Sequence, residues 1–221
     1  SRKYAVCLVN VKEKVPSIKL FISLDNESES DDVINFSEIM EKYEGEYNGS
    51  PDPDKVCAIV FTSGTTGFPK GVMSSHRNFV YSAGSVHVAC PTTRMLCCLP
   101  IHHSFCFTGN ITKSIVKGKT VCVNDNLANL IQDLQLYKPD SILAVPQLVK
   151  KIMFGAMKFA AAHPELPQEK AINSFLGGNI IDIISGGAPL EAALNEKFNS
   201  TGILVLNGYG MTECTPIISN N

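Results

Sequence analysis

Seven short runs of β-branched and apolar residues, alternating with longer stretches of helical pattern, constrain the fold of this 221-residue chain more than any other feature. They are KLFISL (19–24), VCAIVF (56–61), MLCCLP (95–100), KTVCV (119–123), SILAV (141–145), IIDII (180–184) and ILVLN (203–207). Such an alternation predicts an α/β fold, a mainly parallel sheet flanked by helices. Several helices are marked by their ends. Asn35 followed by Glu38 reads as a capping box for a helix over 36–47, and Ser75 caps one over 76–89. Apolar positions recur at helical spacing through 148–162, which assigns the methionines there to the core. Pro189 fits the first turn of a helix through 190–198. Residues 1–54 read as a segment preceding the main domain, which takes up 55–221.

With 44% hydrophobic residues the chain can bury a substantial core. Its 19 basic and 21 acidic residues leave a formal charge of −2, so no basic field argues for nucleic acid as a partner. No apolar stretch approaches the roughly 18 residues of a membrane span, and residues 1–15 lack the layout of a signal peptide. A cytoplasmic location is expected, with peripheral membrane association left open. Of eight cysteines, Cys7, Cys57, Cys97, Cys98 and Cys122 lie in apolar runs and no CxxC pair occurs, which predicts reduced, buried thiols. His102, His103 and Cys106 have no second cluster at matching spacing and do not make a zinc site. The polar stretches 25–32 and 47–54 read as solvated turns.

The chemistry concentrates in Thr62-Ser63-Gly64-Thr65-Thr66-Gly67-Phe68-Pro69-Lys70-Gly71, expected to join a strand to a helix. Glycines at 64, 67 and 71 permit positive φ, which lets successive N–H groups converge on an anion. The hydroxyls add donors, and Lys70 adds a mobile positive charge. The segment is not a Walker loop. Counted from Gly64, the second glycine position holds Pro69, and Gly71 rather than a hydroxyl residue follows Lys70.

SGTTGFPKGV followed by SHRN resembles the signature loop of the adenylate-forming superfamily. Three further stretches follow in that family's order: LPIHHSF (99–105), SGGAPL (185–190) and NGYGMTE (207–213). The resemblance spans most of residues 56–221, and VPQLVKKI (145–152) with the stretch 176–216 is most similar to bacterial long-chain fatty acyl-CoA synthetases. It implies part of the large N-terminal domain of such an enzyme, with 1–54 a preceding subdomain segment and 55–221 the nucleotide-binding and acyl-entry core. It also implies ATP-dependent activation of a fatty acid to acyl-AMP, then thioester formation with coenzyme A, with Mg²⁺ as cofactor.

Carried onto this chain, the resemblance puts Thr62, Ser63, Gly64, Thr65, Thr66, Gly67 and Lys70 over the β- and γ-phosphates. Gly186, Gly187 and Ala188 fall on the adenine side, and Gly210 beside the nucleotide. Tyr209 offers an aromatic face to adenine, Thr212 a hydroxyl to the α-phosphate, and Glu213 one hard oxygen to Mg²⁺. His103 falls near the acyl carboxylate, where an imidazole can orient it, while His102 reads as a turn residue. Lys70, His103, Thr212 and Glu213 are the expected catalytic set. Family members continue to a ribose-binding aspartate, a hinge arginine and a C-terminal domain with a catalytic lysine, none of which occurs before Asn221. The expectation is therefore a part of a longer ligase, inactive by itself. Two alternatives stay open: a non-catalytic nucleotide-binding module, and an enzyme for another carboxylate or acceptor.

Overall fold

A computed structural model describes residues 11, 14–24, 33–43, 45, 46, 48–63, 67–85 and 91–221. The chain divides into two units, residues 1–50 and 51–221. In the first, β1 (Phe21–Ser23) pairs in parallel with β2 (Val33–Asn35), and α1 (Phe36–Lys42) follows directly. Asn35 precedes the helix and its Nδ2 donates to Glu38 Oε1 at 2.8 Å. The helix stops short of the expected residue 47, because the backbone leaves helical geometry at Tyr43 (φ −111°, ψ 87°) just before Gly45, a poor helix former. Cys7 and the stretch 25–32 lie outside the described residues.

The second unit opens with an antiparallel hairpin of β3 (Val56–Thr62) and β4 (Lys70–Ser75), in which Thr62 faces Lys70 across the loop. The loop therefore joins strand to strand, not strand to helix as its sequence suggests. Along β4, Val72 and Ser74 turn inward while Gly71 and Met73 stay exposed. This two-residue alternation is carried by glycine and serine, which favour strands weakly and hide the signal. The same hairpin leaves Cys57 exposed, against the expectation of a buried thiol. Helix α2 (His76–Ser85) starts where Ser75 and Asn78 cap each other: Asn78 Oδ1 accepts from Ser75 N at 2.9 Å, and Ser75 Oγ accepts from Asn78 N at 3.3 Å.

Then come β5 (Arg94–Cys97), α3 (Ser104–Cys106), a π-helical segment (Phe107–Thr112), α4 (Lys113–Lys117) and β6 (Thr120–Val123). After these run α5 (Leu130–Tyr137), β7 (Ser141–Ala144), α6 (Pro146–Ala162), α7 (Gln168–Phe175) and β8 (Asp182–Gly186). The chain ends with α8 (Ala192–Asn199), β9 (Leu204–Gly210), a 3₁₀ turn (Thr212–Cys214) and β10 (Ile217–Asn220). Pro146 occupies the start of α6, where its missing N–H is no loss. Pro189, in contrast, lies ahead of α8, whose N-cap is Glu191.

The strands form one sheet in the order β10-β9-β8-β7-β5-β6. Strands β5 to β9 are parallel and β10 is antiparallel to β9, in agreement with the expected mainly parallel architecture. On one face, Leu96, Ile142, Ile183 and Val205 pack against α5 to α8, with Leu134, Val149, Ile172 and Phe198 among the buried partners. On the other face, Leu143, Ile184 and Leu206 meet Phe105 of α3. The chain passes from β5 outward to β6 and then back to β7, so the order reverses at β5, and clefts in such sheets open at the carboxyl ends beside that switch. Among the described residues no helix is long and apolar enough to cross a membrane.

Leu134 is fully buried while Leu136 on the same helix is 71% exposed. Leu134→Ala is expected to lower stability by about 2–5 kcal/mol in urea unfolding, against about 0.5 kcal/mol or less for Leu136→Ala.

Candidate functional site

Three segments far apart in sequence converge at the carboxyl ends of β5, β8 and β9. After β5 the chain turns through His102 and His103 into α3, with His103 N donating to Pro100 O at 3.0 Å and its carbonyl accepting from Phe107 N at 2.9 Å. After β8 it turns at Gly187, whose φ of +84° falls in the left-handed region that glycine tolerates. After β9 it enters the Thr212–Cys214 turn. Ser104 Oγ and Thr212 Oγ1 lie 3.3 Å apart, a direct link between the histidine segment and the NGYGMTE segment. Between them opens a cleft of about 240 Å³.

Of the residues singled out in the sequence, His103, Gly187, Tyr209, Gly210 and Thr212 line this cleft. Tyr209 and His103 are exposed, available to a ligand at the mouth. Thr62, Ser63, Gly67, Lys70, Gly186, Ala188 and Glu213 do not line it, and Gly64, Thr65 and Thr66 lie outside the described residues. Lys70 opens β4 and is exposed, and β4 runs close to the Thr212–Cys214 turn. The stem of the hydroxyl-rich loop thus stands beside the segment that carries Thr212 and Glu213. Gly67 uses its freedom, with φ at +82°. Glu213 is an exposed carboxylate on that turn. No group of three metal-ligating side chains gathers among the described residues. A lone carboxylate of this kind fits Mg²⁺ held mainly by phosphate oxygens and water, and not an all-protein cage.

Gly186 acquires a packing reason. A Cβ there would come 2.6 Å from Phe105 Cζ, so the ring occupies the space that a side chain would need. Gly208, its register partner on β9, lies against the same ring. Further in, a Cβ on Gly109 of the π-helical segment would come 3.1 Å from Leu143 Cδ2. Phe105, Gly109 and Lys113 recur at four-residue intervals, facing Leu143 and Ile184 of the sheet and Ile217 of β10 across the cleft.

Sequence reading missed Ser104, Phe105, Lys113 and Asp182. The signal for Lys113 is a lone cation on an otherwise apolar helical face four residues after Gly109. It is 3% exposed, and burial pushes its ammonium down to about 8, helped by the like charge of Lys119 and opposed by Asp182. Asp182 is fully buried, with Oδ1 accepting from Ser141 Oγ at 2.5 Å and Oδ2 without a partner among the described residues. Burial raises its carboxyl above the usual range, against the lowering effect of Ser141 and Lys113. Beside the first turn of the helix, the Cys97 and Cys106 sulfurs lie 3.3 Å apart, and their contact holds the Cys97 thiol down and the Cys106 thiol up.

Two outcomes follow from this packing. Gly186→Ala is expected to lose about 1–3 kcal/mol in chemical denaturation, and a second change, Phe105→Leu, should recover part of it by vacating the contested space. For Lys113, the unfolded chain binds the extra proton between about pH 8 and 10.5, so stability rises with pH across that window. Lys113→Met should abolish the rise and stabilise the protein by about 1–3 kcal/mol at pH 7, measured by urea unfolding from pH 7 to 10.

The architecture has counterparts among solved structures. The anthranilate CoA ligase AuaEII, in complex with anthranoyl-AMP, superimposes with a TM-score of 0.78 at 17% identity, over 99% of this chain and 40% of that one. The o-succinylbenzoate CoA synthetase of Bacillus subtilis, in complex with ATP and magnesium ion, gives 0.65 at 24% identity over 86% and 38%. In sequence, a 4-coumarate–CoA ligase-like protein of Arabidopsis thaliana is 31% identical over 172 residues, 76% of this chain and 28% of the relative. Human long-chain-fatty-acid–CoA ligase 1 is 28% identical over 200 residues, 75% and 29%. The luciferin 4-monooxygenase of Photuris pensylvanica is 31% identical over 174 residues, 75% and 29%. The chain thus spans less than a third of each of these relatives. Fatty-acid, coumarate and luciferin enzymes stand together, so the likeness fixes the family and not the acid. A family model of AMP-binding enzymes matches residues 3–221, and with the fold and the converging motifs it identifies the chain as a member of the AMP-binding enzyme family.

Proposed function

We propose that this chain is the nucleotide- and acyl-binding core of an AMP-forming ligase that activates a fatty acid and passes it to coenzyme A. The observation that carries the reading is the Ser104–Thr212 contact, which joins the histidine and NGYGMTE segments at the mouth of a cleft walled by Phe105, Leu143, Ile184 and Ile217. A carboxylate at that mouth meets polar groups while its chain meets apolar ones. An oxygen of the acid attacks the α-phosphorus of ATP, the bond to pyrophosphate breaks, and acyl-AMP forms. The thiol sulfur of coenzyme A then attacks the acyl carbon, and AMP leaves.

In this reading His103 orients the carboxylate, Thr212 donates to the α-phosphate, and Tyr209 offers its face to adenine beside Gly187, Ala188 and Gly210. The loop from Thr62 to Lys70 covers the phosphates that become the leaving group, and closing over them excludes water. Glu213 would hold Mg²⁺, which supplies neutralising charge to the phosphates when bound.

Lys70 is exposed and takes no part in the core. In the protein that carries this chain, Lys70→Ala is expected to slow fatty-acid-dependent ATP–pyrophosphate exchange by about 10²–10³-fold. The unfolding free energy should stay within about 0.5 kcal/mol of the parent. Unchanged exchange would overturn the role of Lys70. Mg-ATP binding without exchange on any acid would replace the ligase by a nucleotide-binding module.

A further inference from the structure

The inner end of the cleft holds a charge that the chemistry at its mouth does not use. Phe105 covers Gly186 and Gly208 at the carboxyl ends of the strands, Gly109 sits one helical step inward over Leu143, and Lys113 follows one step beyond that. At 1.5 Å per residue, the eight residues from Phe105 place Lys113 roughly 12 Å along the helical axis. Strand register gives the same direction, because Ser141 and Asp182 lie level with each other and two residues inward of Leu143 and Ile184.

Lys113 lines the cleft, is 3% exposed, and its Nζ makes no hydrogen bond or ion pair among the described residues. Asp182 acts on it only through charge, and Asp182 Oδ2 itself has no partner among the described residues. A buried donor left unsatisfied is costly, and an apolar chain filling the cleft would seal this ammonium away from water with no acceptor. An oxygen arriving on the ligand removes that penalty with a charge-assisted hydrogen bond.

We propose that Lys113 reads the far end of the acyl group, so that the acid taken by this cleft carries an oxygen acceptor, a hydroxyl or a second carboxylate, at the end opposite the reacting carboxyl. The inference rests on the ligase reading above and narrows its substrate to end-oxygenated acids. Such a site discriminates strongly, because an analogue lacking the oxygen leaves the donor unpaired.

The test uses stable acyl-adenylate mimics, which need no turnover: acyl sulfamoyladenosines ending in methyl, hydroxyl or carboxylate, each in eight- and ten-carbon forms. Calorimetric titration of the full chain is expected to show at least one oxygen-ended mimic binding tenfold or more tighter than the methyl-ended mimic of the same length. Lys113→Met should cancel or reverse that order, a change of rank that a merely structural lysine would not produce. Wild-type protein that binds the methyl-ended mimics as tightly overturns the inference without recourse to the variant, and leaves the ligase reading standing. Failure of all six mimics and of Mg-ATP to bind the folded chain overturns both.

Discussion

The seating of the Phe105 ring on the side-chain-free ends of β8 and β9 is the contact on which the rest of the site depends. Glycine at 186 lets the helical run after β5 lie close on the sheet, while at Gly208 an added Cβ would stand 4.0 Å from the ring. That approach carries Ser104 to Thr212 and leaves a gap further in, where Gly109 thins the helix against Leu143. A bulkier residue at 186 would lift the helix, break the hydroxyl contact and open the cleft together. The family motif and the packing requirement therefore fall on the same residue at 186, and no division between structural and functional glycine can be drawn there.

The two faces of the sheet follow different rules. The face under α5 to α8 is closed by Leu, Ile, Val and Phe side chains, the arrangement that supplies hydrophobic stabilisation. The face under the π-helical segment keeps Asp182 Oδ2, Thr108 Oγ1 and Asn110 Oδ1 buried without hydrogen-bond partners among the described residues, beside the 3% exposed Lys113. Unsatisfied groups of this kind weigh against stability, and native proteins concentrate such departures where function needs them. The face under α5 to α8 carries such a group too, Ser185 Oγ, two residues beyond Ile183 on β8, and the apolar packing around it offsets the burden of both faces.

How much of this was legible in the sequence depended on how far each signal reaches along the chain. Strands such as SILAV and IIDII were visible because their β-branched runs are local and contiguous, and the parallel order followed from their alternation with helices. The hairpin partner 70–75 was read as a loop and helix approach because Gly71, Ser74 and Ser75 mask its alternation. The short α1 and the late start of α8 turn on single-residue backbone geometry at Tyr43 and Glu191, which no periodicity encodes. The motif residues His103, Gly187, Tyr209, Gly210 and Thr212 could be named in advance, and they converge on one cleft. Phe105 and Lys113 could not, because their meaning arises only when a helix is laid across strands that lie far along the chain, at Leu143, Gly186 and Gly208.

The π-helical segment gives that cleft an unusual tolerance to a change in length. Such a segment behaves as an α-helix carrying a surplus residue, so removing one residue between 107 and 112 would restore α-helical winding without breaking the helix. Lys113 would then stand seven residues from Phe105, a turn of roughly 700°, within about 20° of two full turns. It would keep facing the cleft, with Phe105 and Ser104 in their places. A change of one residue in length would thus be absorbed inside the helix, leaving the mouth and the inner end of the cleft equipped as before.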